Sequence, residues 1–518
     1  MYLTQSLHRA IATRPDAIAS VYGDRRRTYA QLGDRVARLA GALRALGLQA
    51  GDRVGMLSLN SDRYLEYYMA TYWAGCAVNP ANIRWSAAEI AYSLDDCDTR
   101  VLIVDDQFAP MLPELRQRSK ALSTLIYAGE GATPEGMLGY ESLIAQSAPV
   151  ADVRREGADL AGVFYTGGTT GFPKGVMLSH AGLYVNALAL VAEGAVRDGD
   201  IGLHAAPMFH LADGAFMNAM FTCGGTHAII PAFAPAAVLQ AIERERVTAS
   251  LLVPTMIQMT VDHPDMARHD LSSVRAVVYG ASPISEAVID RATRALPQAG
   301  FFQAYGMTEL SPVATVLRPE FHAGEGLALG KVRSAGRPTY CAEVRIEDVD
   351  GRELPRGEVG EIVVKGPGMM LGYWNKPEES AQALRGGWMH TGDAGRMDDD
   401  GFVFVVDRIK DMIVTGGENV YSAEVENAVV QHPAVAACAV ISIPDDKWGE
   451  LVHAVVVLKP GAAATAEQIQ AHCKALIANY KVPRSFEFAP ALPLSGAGKV
   501  LKTKLREPHW AGRERQVG

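Results

Sequence analysis

The chain carries 518 residues, with 49 Lys and Arg against 58 Asp and Glu for a formal charge of −9; 48% of it is hydrophobic and 21% charged. That mix excludes disorder as the main state, and an acidic balance with no basic tail argues against nucleic acid as a standing partner. Six cysteines (Cys76, Cys97, Cys223, Cys341, Cys438 and Cys473) lie far apart without Cys-x-x-Cys or Cys/His spacing, which excludes a small disulfide scaffold and offers no zinc pattern.

In chain order, Leu3, Leu7 and Ile11 recur at helical spacing, in an N-terminus that lacks the apolar run of a secretory signal. From Tyr29 to Leu48 an apolar stripe at i, i+3, i+4 and i+7 predicts an amphipathic helix. Short apolar runs alternate with such helices at 54–57 and 101–104, and again at 249–253, 276–279 and 301–304. This alternation predicts parallel sheets covered by helices. Between them, 162–164 and 176–178 read as the two strands of a hairpin around a Gly/Thr-rich loop. After about residue 340 the texture turns β-rich, with runs at 344–346, 361–364 and 402–406 separated by Gly, Pro and Asp turns. From about residue 412 a βαβ-like stretch leads into Lys/Arg-rich sequence. No apolar run approaches the ~20 residues of a membrane span, so a soluble, reduced, cytoplasmic protein is expected. The expected organisation is α/β: a large N-terminal domain over 1–406 with α/β subdomains and a β-rich subdomain, a junction at 407–411 where strand pattern gives way to charge, and a small α+β domain over 412–518.

The segment from Tyr165 to Gly175 carries the strongest chemistry. Gly167, Gly168, Gly171 and Gly175 permit close backbone approach, so successive N–H groups can face an anion. Thr166, Thr169 and Thr170 add hydroxyl donors and Lys174 a positive charge, a combination suited to polyphosphate. Lys174 is followed by Gly175 rather than Ser or Thr, so this is not a Walker A loop.

At this loop the sequence resembles the adenylate-forming superfamily of acyl-CoA synthetases, aryl-CoA ligases, luciferases and peptide-synthetase adenylation domains. Gly167 stands where Ser is commonest in the family. Further motifs extend the resemblance over nearly the whole chain. Gln303, Ala304, Tyr305, Gly306, Met307, Thr308 and Glu309 resemble the family segment whose Tyr packs on adenine, whose Thr contacts the α-phosphate and whose Glu holds Mg²⁺. Gly280, Ala281 and Ser282 resemble the second wall of the adenine site, and Asp393 with Arg408 the ribose pair. Lys410 matches the hinge about which a small mobile domain swings, and Lys499 the catalytic lysine of adenylation. His210 resembles a residue beside the acyl pocket, while Arg84, Trp448, Lys481 and Arg484 lie where CoA ligases contact the CoA nucleotide.

The resemblance implies an AMP-forming carboxylic acid–CoA ligase that uses ATP, Mg²⁺ and coenzyme A, with a homodimer compatible with it. No Arg or Lys adjoins Tyr305 on its N-terminal side to pair a second carboxylate, so an uncharged acyl tail is expected. A medium- or long-chain fatty acid is the first expectation and an aryl or phenylpropanoid acid the second. An adenylating enzyme that loads a carrier protein is the closest competing class. Amino-acid-activating domains place Asp directly after the Phe at this point, where the present chain has His210. A silent nucleotide-binding scaffold would be expected to lose Lys174, Glu309 or Lys499, and all three are present.

Overall fold

Parallel strands cannot be joined by a tight turn, so a chain that alternates short apolar strands with amphipathic helices must cross over one face of a sheet each time. The computed structural model, which describes residues 1–166, 173–282, 284–494 and 500–511, uses this device twice. It divides into two compact units, Met1–Val344 with Val364–Met389, and Arg345–Val363 with His390–Gly518.

Among the described residues, the first unit holds an eight-stranded and a nine-stranded sheet. The eight-stranded sheet is parallel through Leu160–Thr166, Ala77–Pro80, Arg53–Leu57, Val101–Val104, Thr124–Tyr127 and Leu138–Gly139. Lys174–Ser179 then pairs antiparallel with Leu160–Thr166, bringing Thr166 opposite Lys174, so the expected hairpin is present. Gly372–Tyr373 completes that edge. In the nine-stranded sheet, Ile18–Tyr22, Thr226–Ile229, Ile201–His204, Ala249–Leu251, Ala276–Gly280 and Gly300–Gly306 are parallel neighbours in that order. Antiparallel strands close both edges.

The predicted helix runs from Tyr29 to Ala45 and buries Leu32, Val36, Leu39 and Leu43 along one stripe. Thr28 and Gln31 form a capping box at its start, satisfying two of the N–H groups that a helix leaves open. The run at 249–253 is a strand only to Leu251; Val253 precedes Pro254, which opens the next helix because its fixed φ suits a first turn and its missing N–H costs nothing there.

Among the described residues, the second unit combines most of a four-stranded sheet (Glu343–Glu347, Gly360–Lys365, Met389–Met397, Val403–Arg408) with a five-stranded one. In the latter, Gly449–Leu458 pairs antiparallel with Val435–Asp445 and parallel with Ser485–Phe488, the helix Ala466–Lys474 forming the crossover of a βαβ turn. Val425, Val429, Val440, Val452 and Ile469 fill its core. The strand expected at 402–406 continues through Asp407 to Arg408. Asp407 then accepts hydrogen bonds from Ser422 N and from Ser422 Oγ (2.7 Å), tying this strand to the start of the helix Ser422–Val430. The compact units divide at 344/345, 363/364 and 389/390, and the tie lies within the second of them. No described helix is long and apolar enough to cross a membrane, and all six cysteines are free thiols.

Candidate active site

In the first unit, two neighbouring strand ends form one wall. Gly280 ends its strand directly opposite Ala304, and a Cβ on Gly280 would lie 2.1 Å from the Ala304 carbonyl oxygen. Only glycine lets the two backbones approach this closely. Ala281 and Ser282 follow, and Tyr305, Gly306, Met307 and Thr308 leave the adjacent strand half-buried. Gly306 is equally constrained, since a Cβ there would meet Pro312 O at 2.0 Å. The structure therefore brings together the two segments that the sequence assigns to a purine site. Gln303, one register back, accepts a hydrogen bond from Tyr279 Oη at 3.2 Å.

Glu309 lies in the 3-10 turn Thr308–Leu310 and is 6% exposed. Its carbonyl accepts from Met370 N (2.8 Å), and Tyr373 Oη donates to its Oε1 at 2.8 Å. A carboxylate buried this far must be hydrogen-bonded, and Tyr373 orients it. Burial and the neighbouring Glu309 push the Tyr373 hydroxyl far above its ordinary range, so it stays a donor. Lys174 sits 5.1 Å from the Tyr373 ring centroid and forms an ion pair with Glu379. Its hydrogen bond holds the Glu379 carboxyl below the usual value. Tyr165, at the other foot of the hairpin, donates to Asp96 Oδ2 at 2.6 Å, and Trp374 Nε1 donates to Asp96 O. The hairpin feet are thus braced from outside. Thr166 and Lys174 are placed opposite one another, whereas Gly167, Gly168, Thr169, Thr170 and Gly171 lie outside the described residues.

His210 is the N-cap of the helix Leu211–Cys223, its Nδ1 accepting from Ala212 N at 3.2 Å. The capping bond makes Nδ1 the acceptor and leaves Nε2 to carry the proton of the neutral ring. Arg84 is exposed in the turn after Asn82, which accepts from Arg84 N through Oδ1 at 3.0 Å.

In the second unit, Asp393 and Arg408 are direct cross-strand partners, with Arg408 Nε 3.3 Å from Asp393 Oδ1. Asp393 N donates to Thr391 Oγ1, and Thr391 Oγ1 donates in turn to Ile362 O. A buried carboxylate beside a half-exposed guanidinium is a ready receptor for a diol. Burial, then the charge of Arg408, holds the Lys410 ammonium below the ordinary lysine value. Arg506 forms an ion pair with the adjacent Asp411. Of the CoA candidates, Arg484 stacks on Trp448 at 4.4 Å from the ring centroid. Lys481 is instead paired with Glu424 at 2.7 Å. Lys499 lies outside the described residues.

Sequence reasoning passes over Tyr373, Glu379 and Asp96. The run Leu371-Gly372-Tyr373-Trp374 carries the only local signal, two adjacent aromatics after a glycine. Glu379 is indistinguishable in sequence from its neighbour Glu378.

The AMP-binding enzyme pattern matches residues 7–374 and the AMP-binding enzyme C-terminal domain residues 424–499, so the chain belongs to the AMP-binding enzyme family, the adenylate-forming acyl-CoA synthetases. It is an AMP-forming acid–thiol ligase that works through an adenylate. Among its relatives is a feruloyl-CoA synthase of Amycolatopsis sp, 41% identical over 496 residues, covering 95% of this chain and 96% of the relative. A medium/long-chain fatty-acid–CoA ligase of Mycobacterium tuberculosis is 38% identical over 513 residues, covering 96% and 88%. Among solved structures, ATP-bound MatB from Rhodopseudomonas palustris aligns with a TM-score of 0.88 at 30% identity, over 98% of this chain and 99% of that one. An anthranilate CoA ligase in complex with anthranoyl-AMP aligns with a TM-score of 0.88 at 29% identity, over 98% and 97%.

Proposed function

We propose that the acid is a monocarboxylate with an uncharged tail, and that an aryl acid of the hydroxycinnamate type is its first candidate and a medium- or long-chain fatty acid its second. The whole-length relationship to feruloyl-CoA synthases carries this order, which reverses the order expected from sequence texture. The uncharged strip Gln303–Ala304 beside Gly280 supports it, because it offers no cation to a second carboxylate.

In this reading a carboxylate oxygen attacks the α-phosphorus of ATP, the bond to the β-phosphate breaks and pyrophosphate leaves. The CoA thiolate then attacks the acyl carbonyl and AMP departs. Tyr305 with Gly280, Ala281 and Ser282 takes the adenine, Asp393 and Arg408 the ribose. Thr166, Lys174, Thr308 and the loop Gly167, Gly168, Thr169, Thr170, Gly171 take the phosphates. Glu309 suits a hard cation, since it presents carboxylate oxygens on a fixed turn. Mg²⁺ held there would neutralise charge on the triphosphate. Lys499 bridges the carboxylate and the α-phosphate during adenylation, and 407–411 acts as the hinge between a domain over 1–406 and one over 412–518. Arg84, Trp448, Lys481 and Arg484 meet the CoA nucleotide. Six unpaired thiols fit a reducing compartment, the cytoplasm.

An acid panel read as AMP formed, with and without CoA, tests this. Hydroxycinnamates should give the highest kcat/KM, with steady AMP formation requiring CoA. A series rising by up to ~0.8 kcal/mol per methylene of a linear acid, with aryl acids slower, would establish the fatty reading instead. Turnover only with a carrier protein would overturn both.

A further inference from the structure

The second unit holds a side-chain cluster that adenylation and thioester formation do not use. His453 lies on the strand Gly449–Leu458, Glu487 on its parallel neighbour Ser485–Phe488, and His509 near the end of the helix Lys502–Trp510. His453 is in register with Ser485, and Val455 with Glu487, so His453 and Glu487 point to the same face of the sheet. The helix is held over that unit by Lys502 to Glu426 (2.8 Å), by Arg506 to Asp411, and by Trp510 Nε1 donating to Ser442 O (2.9 Å). His509 thereby comes within 5.0 Å of His453, ring centroid to ring centroid.

One nitrogen of each histidine and one oxygen of Glu487 all lie within 4.8 Å of one another. His453 is 3% exposed, and its Nε2 has no hydrogen-bond partner, standing 3.9 Å from Glu487 Oε2. Its other nitrogen, Nδ1, is 2.8 Å from Ser485 Oγ. With the Nδ1 proton donated to that hydroxyl, the orphan Nε2 carries a lone pair 3.9 Å from Glu487 Oε2. A buried lone pair without a donor is costly, and a cation is the partner that such a site lacks.

We propose that His453, Glu487 and His509 form a binding site for a divalent transition-metal ion of the Zn²⁺ class, apart from the adenylating residues. Two imidazoles and a carboxylate are the donor set such an ion prefers, with water in the fourth position. Ser485 is the outer-shell group that fixes the His453 tautomer. Glu487 is exposed and can close the remaining distance by side-chain rotation alone. The bound ion would cross-link two strands to the helix Lys502–Trp510, which follows Lys499 by three residues. Sequence spacing conceals the site, because its ligands are 34 and 22 residues apart and match no local metal motif.

Chelator-stripped full-length protein titrated with Zn²⁺ alone, and separately with Co²⁺, tests the proposal. Wild type should bind one ion outside the cysteines, with a Co²⁺ visible spectrum lacking a thiolate charge-transfer band. Glu487→Gln and His509→Ala, both at accessible positions, should each weaken binding by at least ~10-fold, and Ser485→Ala by ~10–100-fold. Thermal stabilisation by Zn²⁺ should vanish in His509→Ala. Absence of bound metal, equal binding in the variants and wild type, or a thiolate band would each overturn it.

Discussion

Asp393 and Arg408 face each other across two antiparallel strands, so their spacing is set by backbone pairing and not by two long side chains finding one another. Under the proposed ribose role, a ligand diol would meet a preorganised pair. Asp393→Ala should raise the KM for ATP by about 10- to 100-fold while leaving the KM for the acid within a factor of two or so, the loss of charge-assisted bonds worth ~1.5–3 kcal/mol. Unchanged nucleotide affinity in a folded variant would remove Asp393 from the ribose role. His210 shows the opposite kind of residue. Its helix-capping bond already accounts for its place in an apolar segment, so its replacement should cost stability as well as any effect on the acid.

At the scale of elements, the legible parts were those whose signal is local. The stripe 29–48, the hairpin strands on either side of the Gly/Thr loop, and the runs at 276–279 and 301–304 all became the expected elements, because periodicity and turn residues lie within one short window. The strand Arg25–Thr28 was not legible. It reads Arg-Arg-Arg-Thr, and becomes a strand because Ile18–Tyr22 pairs beside it and docks Ser20 against His227, about two hundred residues away. The segments at Gly280 and Tyr305 were singled out by their resemblance to family motifs, whereas the bracing of Glu309 by Tyr373 and of the hairpin by Asp96 was not legible, since each joins distant segments. The same distance hides the tie from Asp407 to Ser422, which brackets Lys410 on one side as Arg506 on Asp411 does on the other. If the segment acts as a hinge, Lys499 is needed for one half-reaction only. Lys499→Ala should then slow adenylate formation by roughly 10²–10³-fold and spare thioester formation from synthetic acyl adenylate. Equal loss in both halves would sink the alternation.

For the molecule as a whole, the buried histidines set its response to acid. His180 and His322 in the first unit and His453 in the second each have a pKa held at about 4, mainly by burial. In the unfolded chain they titrate near 6.5. Between those values the unfolded state binds more protons, so stability is fully present above about pH 6.5 and is lost as pH falls toward 4. Each such histidine contributes ~1.4 kcal/mol per pH unit in that window. The urea midpoint, measured in chelator, should fall steadily over this range, and His322→Gln should flatten the fall. His322 is the cleanest probe, since Nδ1–H donates to Arg318 O at 2.9 Å and burial disfavours the charged ring.

Before any nucleotide arrives, Lys174 already holds an anion, the carboxylate of Glu379. Under the assigned phosphate role, ATP capture at this lysine is an exchange of counter-ions, so only the difference between phosphate and carboxylate contributes to affinity. The pair is partly solvated, with side-chain exposures of 30% and 39%, and is worth at most ~1 kcal/mol. Glu379→Gln should accordingly lower the KM for ATP by no more than about 5-fold, and the gain should shrink as added salt supplies competing anions. A KM that rises in the variant would mean that Glu379 positions the lysine instead of competing for it. The resident carboxylate thus makes the site selective by subtraction: a singly charged anion gains almost nothing by displacing Glu379, while a triphosphate does.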